Sequence, residues 1–184
     1  MYDFLHSFDL SVFGFLHGLA GQSGWVDGVI VFLGEYLAYV AVLAMLVAAF
    51  RAYRAGKLSE VLVYATAAVS GLLARVVVAG GIRYFYHRPR PFAALNLPHL
   101  LTETSYAFPS GHAIFFFALA AGVFATNKRL GTWLYVAAIL IGIGRIAAGV
   151  HYPSDILGGA VLGIFIGYVG VWVYRTYLSS KFVS

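Results

Sequence analysis

Apolar residues run in five long blocks along the chain, at 24–50, 58–84, 111–126, 132–149 and 155–178, separated by short polar stretches. Most of these match the ~20-residue helix that a bilayer demands. In lipid only a helix or a closed barrel satisfies its own backbone hydrogen bonds. The pattern therefore predicts an all-α, polytopic transmembrane helix bundle. The third block is short and needs either local bilayer thinning or an extension into its flanking loop. Residues 1–22 read differently. Asp3, His6, Ser7, Asp9 and Gly14 interrupt them, while Phe4, Leu5, Phe8, Val12, Phe15 and Leu16 recur at helical spacing. That spacing predicts a helix lying in the interface, with a sixth crossing as the alternative. The aspartates of "MYDFLHSFDL" stand where a secretory leader carries lysine or arginine, so no cleaved segment is expected. No internal repeat or low-complexity linker divides the chain, and a single membrane-embedded domain over residues 1–184 is expected.

Composition agrees with the pattern. Hydrophobic residues make up 61% of the chain and charged residues 10%, against roughly half and a quarter in soluble domains. The absence of cysteine excludes disulfides, thiolate metal sites and cysteine nucleophiles. The net charge of +5 sorts by side of the membrane and does not point to a nucleic acid. Helix alternation places the long connection 87–110 and the short "GVHYPS", 149–154, on one side. The opposite side receives "RAYRAGK" at 51–57, "NKR" at 127–129, and the tail with Arg175 and Lys181. The freely placed cations make that opposite side cytoplasmic. The two connections then face the periplasm or exterior.

Glu35 and Arg75 each fall inside an apolar block, at comparable distances from its outer boundary. An isolated charge at such depth costs several kcal/mol, so the expectation is a structural pair between them. Gly159, Gly163 and Gly167, four apart, read as a close-packing stripe.

Chemistry collects at the outer edge. "RYFYHRPRP" ends the second block with Arg83 and Arg90, seven apart. Pro109, Ser110, Gly111 and His112 open the third. "GRIAAGVHYPSD" joins the fourth to the fifth with Arg145, His151 and Asp155. Arginine presents a planar fork suited to phosphate oxygens. Ser110 caps a helix start whose free N–H groups favour an anion, and Gly111 lets a ligand come close. His112, on that first turn, can deliver a proton. Asp155, near a proline-started helix, lies within reach of His151; a carboxylate on Nδ1–H leaves Nε2 as a free lone pair. Singly, each residue has a plainer reading: a snorkelling arginine, a simple cap, a polar histidine at the headgroups. Arg88, His87 and His99 keep that plainer reading. The histidines are too surrounded by cations to invite a divalent metal.

These motifs identify a resemblance. The chain resembles the type 2 phosphatidic acid phosphatase superfamily, whose site is shared with vanadium haloperoxidases and acid phosphatases. That signature is lysine, six residues, Arg-Pro; then Pro-Ser-Gly-His; then Ser-Arg, five residues, His, three residues, Asp. Here the pieces are Arg83 with Arg90-Pro91, Pro109-Ser110-Gly111-His112, and Gly144-Arg145 with His151 and Asp155. Arg83 replaces the usual lysine and keeps its charge. Gly144 replaces the usual serine and loses a hydroxyl, for which a modest effect on affinity is expected.

The resemblance implies a membrane phosphatase working without metal or other cofactor. His151 is the implied nucleophile, oriented by Asp155, with His112 as the acid. Arg83, Arg90, Arg145, Ser110 and Gly111 are the implied phosphate cradle. The short length, the outward site and "FLGEY" in the first block look like bacterial undecaprenyl-diphosphate phosphatases of the inner (cell) membrane. The apolar "FAALNLPHLLTETSYAF" is suited to shaping an entry gap for a lipid substrate. Phosphatidylglycerophosphate, phosphatidic acid and lipid A phosphates are alternative substrates. A phospholipid or anion transporter is the alternative class.

Overall fold

The structure, a computed structural model, describes residues 2–178, and every regular element among them is helical. Helix α1 is Tyr2–His17. Four helices are long and apolar enough to cross a membrane: α2 (Gly24–Arg54), α3 (Leu58–Phe85), α5 (Lys128–Ala147) and α6 (Pro153–Tyr177). Between α3 and α5 lies the shorter apolar helix α4, Gly111–Phe124. All five predicted apolar blocks therefore form helices, with ends displaced by a few residues.

Side chains set several starts. Ser23 Oγ accepts from Val26 N–H at α2, and Asn127 Oδ1 accepts from Leu130 N–H at α5. Each satisfies a donor left orphaned by the first turn. Pro153 opens α6, where its missing N–H removes no bond.

Helix α4 has 14 residues, about 21 Å of rise, short of a ~30 Å hydrocarbon core. Burial resolves the shortfall. Ala113, Ile114 and Phe116 through Val123 are buried, enclosed by α3, α5 and α6. A helix apolar on all sides fits such a central place. The glycine stripe of α6 lets it press on α4: a Cβ on Gly163 would stand 2.4 Å from the Ile114 carbonyl oxygen, and one on Gly167 2.3 Å from that of Ala118.

The spans that carry Glu35 and Arg75 depart from regular α geometry at those residues. Phe32–Tyr36 of α2, carrying Glu35, and Ala74–Val78 of α3, carrying Arg75, are π-helical. Such widened turns re-aim side chains and recur at functional sites. At the first of them α2 and α5 meet backbone to backbone. A Cβ on Gly144 would lie 2.4 Å from Gly34 N and 2.8 Å from its Cα. This explains the glycine at position 144: the contact leaves no room for the expected serine.

The connections meet as alternation predicts. Arg90 Nη1 donates to the Val150 carbonyl, and Ser110 N–H donates to the Asp155 carbonyl, so residues 87–110 and 149–155 share one end. At the other end Asn127 Nδ2 donates to Tyr64 Oη. Helix α1 packs beside the first end, with Phe13 buried against Tyr152 and His17 Nδ1 2.9 Å from the Ala147 oxygen.

Restoring the family's serine should therefore harm the fold. Overpacking of this kind costs about 1–3 kcal/mol. Gly144→Ser is expected to lower the melting temperature in detergent, read by thermal unfolding; an unchanged or raised midpoint would refute the close-contact account.

Candidate active site

The site end of the bundle is built on one buried carboxylate. Asp155, 0% exposed, sits in the first turn of α6, and its Oδ2 accepts from Tyr152 N–H at 2.8 Å. The same Oδ2 lies 3.4 Å from His151 Nδ1. Its Oδ1 accepts from Arg88 Nη1 at 2.6 Å. A carboxylate on Nδ1 places the imidazole proton there and leaves a lone pair on Nε2. That Nε2 faces Arg90 Nη1 at 3.2 Å.

Arg90 is held on all sides. Its Nε donates to the Ser105 carbonyl, Nη1 to the Val150 carbonyl, and Nη2 to Ser105 Oγ. Arg83 reaches the same serine through Nη1 at 3.3 Å, and the Pro109 carbonyl through Nη2 at 2.6 Å. Arg145, 0% exposed, reaches over from α5. Its Nη1 donates to the Gly34 carbonyl, and its Nη2 pairs closely with Glu103 Oε1. Glu103 Oε2 lies 3.5 Å from Arg90 Nη2, so one carboxylate bridges two guanidinium groups. Two buried donors, Arg83 Nε and Arg145 Nε, lack a partner among the described residues. Buried unsatisfied donors of this kind fit a site built for an anion's oxygens.

Ser110 caps α4, its Oγ accepting from Ala113 N–H at 3.4 Å, so the start of a buried helix faces the cluster. His112, on that first turn, stacks on Phe116 and borders a cavity of about 470 Å³. The same cavity is walled by Val42, Leu72, Val76 and Phe115 and reached by Arg75 and Glu103.

Electrostatics follow from this crowding. Burial and the cations Arg145 and Arg90 hold the His151 imidazole well below its ordinary value, so it is neutral at pH 7. Burial also pushes Arg90 down to about 10; Glu103 opposes this and Arg145 and Arg83 reinforce it, and the group stays protonated. For Glu103 burial favours the neutral acid, but Arg145 and Arg90 prevail and hold its carboxyl below the usual range.

One expectation is corrected. Glu35 does not pair with Arg75: its Oε2 lies 3.5 Å from Arg145 Nη1, and none of the ion pairs among the described residues involves Arg75. Both charges sit on π-helical turns, which a block-by-block reading of depth does not anticipate. Arg145 takes that carboxylate instead, while Tyr39 Oη donates to its Oε1 at 3.3 Å.

Four residues escaped the sequence reading. Arg88 bridges Asp155 to Asp9 of α1, donating through Nη2 to Asp9 Oδ2 at 2.6 Å, and it lies 4.4 Å over the Tyr152 ring. Asp9, 2% exposed, also accepts from Ser154 N–H and Ser154 Oγ. Glu103 and Ser105 lie in the connection treated as an apolar entry segment. The one signal for Asp9 was a carboxylate within an otherwise apolar helical face.

The comparisons with known proteins give the family and the fold. Residues 64–179 match the PAP2 superfamily. The chain is 33% identical to the "Bacitracin transport permease protein BcrC" of Bacillus licheniformis, over 89% of this chain and 79% of that protein. It is 31% identical to the "Undecaprenyl-diphosphatase BcrC" of Bacillus subtilis (strain 168), over 86% and 80%. Among solved structures, the crystal structure of Aquifex aeolicus LpxE superposes with a TM-score of 0.69, covering 89% of this chain and 94% of that one at 24% identity, which shows a shared fold. The chain is therefore a member of the PAP2 superfamily, a multi-pass membrane phosphatase of lipid phosphates.

Proposed function

We propose that the protein removes the terminal phosphate of undecaprenyl diphosphate through a phosphohistidine formed on His151. One observation carries this reading: His151 is held between Asp155 at Nδ1 and Arg90 at Nε2, so its lone pair points at a guanidinium able to hold a phosphoryl group. The name of the Bacillus subtilis relative supports the choice of lipid.

The reaction then divides among the residues. Phosphoryl oxygens would take the forks of Arg83, Arg90 and Arg145, including the two partnerless Nε donors, together with the Gly111 N–H at the start of α4. Those oxygens would compete with Glu103 for Arg145 and Arg90. His151 Nε2 attacks the terminal phosphorus as the bond to the bridging oxygen breaks. Asp155 stabilises the positive charge that grows on the ring. His112 protonates the departing oxygen, and water then attacks the phosphohistidine to release phosphate and restore His151. No step in this scheme requires a metal ion.

The positive-inside pattern supports an outward site in a bacterial inner membrane, with 51–57 and 127–129 in the cytoplasm. The chain carries no cysteine, so single cysteines can report orientation. In intact cells a membrane-impermeant thiol reagent is expected to label Thr104→Cys and spare Ala55→Cys; the opposite pattern would turn the site inward.

Turnover tests the chemistry. Purified protein in detergent with EDTA is expected to release phosphate from undecaprenyl diphosphate faster than from phosphatidylglycerophosphate or phosphatidic acid. Preference for either phospholipid would replace the proposed substrate, and lipid movement without phosphate release would favour a transporter. Acid-labile, alkali-stable labelling of the protein by substrate phosphate should appear in the wild type and vanish in His151→Ala along with turnover. In His112→Ala turnover should fall by about 100-fold or more, the contribution of a positioned acid. Labelling that survives in His151→Ala would remove the nucleophile.

A further inference from the structure

Arg75 has no role in the scheme above, yet its position is unusual. It lies ten residues before the end of α3, about 15 Å along the helix, on the π-helical turn Ala74–Val78. A cation at that depth in an apolar span is expensive and needs a partner. None of the ion pairs among the described residues supplies one, because Glu35 and Glu103 are both engaged by Arg145.

What Arg75 does have is a place beside the site. A Cβ on Gly111 would lie 3.5 Å from Arg75 Nε and 3.5 Å from Arg83 Nη2, so two guanidinium groups flank the first residue of α4. The helix start adds its own positive end and its free N–H groups. Two guanidinium groups beside a helix start favour an anion between them. Arg83 also belongs to the cradle described above, and Arg75 does not. Arg75 shares with His112 the apolar-walled cavity of about 470 Å³, the space into which a leaving group protonated by His112 would lead.

We infer that Arg75 forms a second phosphate subsite, which holds the non-transferred phosphate of a lipid diphosphate on the His112 side while Arg83, Arg90 and Arg145 hold the terminal one. This inference rests on the proposed phosphohydrolase reading and makes the site selective for a P–O–P headgroup over a phosphomonoester. When His151 takes the terminal phosphoryl group, the bond to the bridging oxygen breaks. That oxygen leaves as part of the lipid monophosphate, whose phosphate stays on Arg75 and whose tail lies along Leu72, Val76 and Phe115.

The test compares wild type, Arg75→Gln and Arg75→Lys in detergent with EDTA, on any lipid phosphate the wild type hydrolyses. Inorganic diphosphate and inorganic phosphate serve as competing inhibitors. In Arg75→Gln the inhibition constant for diphosphate is expected to rise about tenfold or more, the loss of one charge-assisted contact. That for phosphate should stay within about twofold, and Arg75→Lys should recover part of the difference. With undecaprenyl diphosphate as substrate, KM should rise likewise in Arg75→Gln. Equal weakening of both inhibitors, or no change in either, would overturn the subsite. A wild type inert toward undecaprenyl diphosphate would instead overturn the assigned substrate, while the inhibitor comparison would still decide the role of Arg75.

Discussion

Asp155 is the point through which the site is assembled. Its carboxylate closes the first turn of α6, receives Arg88, and stands on the Nδ1 side of His151, while its backbone carbonyl takes the Ser110 N–H at the start of α4. A carboxylate with no solvent exposure is tolerable only when donors surround it. Satisfying Asp155 therefore fixes three chain segments relative to one another. Through Arg88 the same requirement reaches Asp9, which gives helix α1 a reason to pack at this end. The orientation of the His151 ring is a by-product of solving a burial problem.

The cations pose the converse problem. Arg83, Arg90 and Arg145 are gathered at one end of the bundle, and Glu103 and Glu35 offset only part of that charge. Backbone carbonyls of Ser105, Pro109, Val150 and Gly34 absorb many of the remaining donors. This arrangement holds the forks rigid without neutralising them, which is the condition for preorganised charge stabilisation. A surplus of fixed positive charge around the His151 imidazole suits an incoming phosphate and disfavours protonation of the ring.

The sequence disclosed the parts whose signals are local. Apolar runs located all five helices, because length and hydropathy alone decide what can cross lipid. The three motifs brought His151, Asp155, Arg90, Arg83, Arg145 and Ser110 to one end, because their spacing is tied to helix starts and ends. Pairings between distant segments were not legible. Glu35 and Arg75 look like partners when depth is counted at 1.5 Å per residue, but π-helical turns displace both and Arg145 captures Glu35. Asp9 and Arg88 are 79 residues apart, and nothing near either announces the other. Gly144 read as a lost hydroxyl. Its cause, the Gly34 backbone 2.4 Å from where a Cβ would stand, exists only once α2 and α5 are packed.

That contact also links the departure at position 144 to the electrostatics of the site. Because both residues are glycines, the π-helical turn of α2 can lie directly on α5, and the Gly34 carbonyl and Glu35 carboxylate come within reach of Arg145. A serine at 144 would hold α2 away and weaken both contacts to a fully buried guanidinium. The hydroxyl missing from the family pattern is thus exchanged for a backbone carbonyl and a carboxylate from another helix. The two histidines then sit in contrasting surroundings, His151 enclosed by a polar network and His112 stacked on Phe116 beside an apolar-walled cavity. Environments that differ in this way are what two identical side chains need if they are to divide the proposed attack and proton delivery between them.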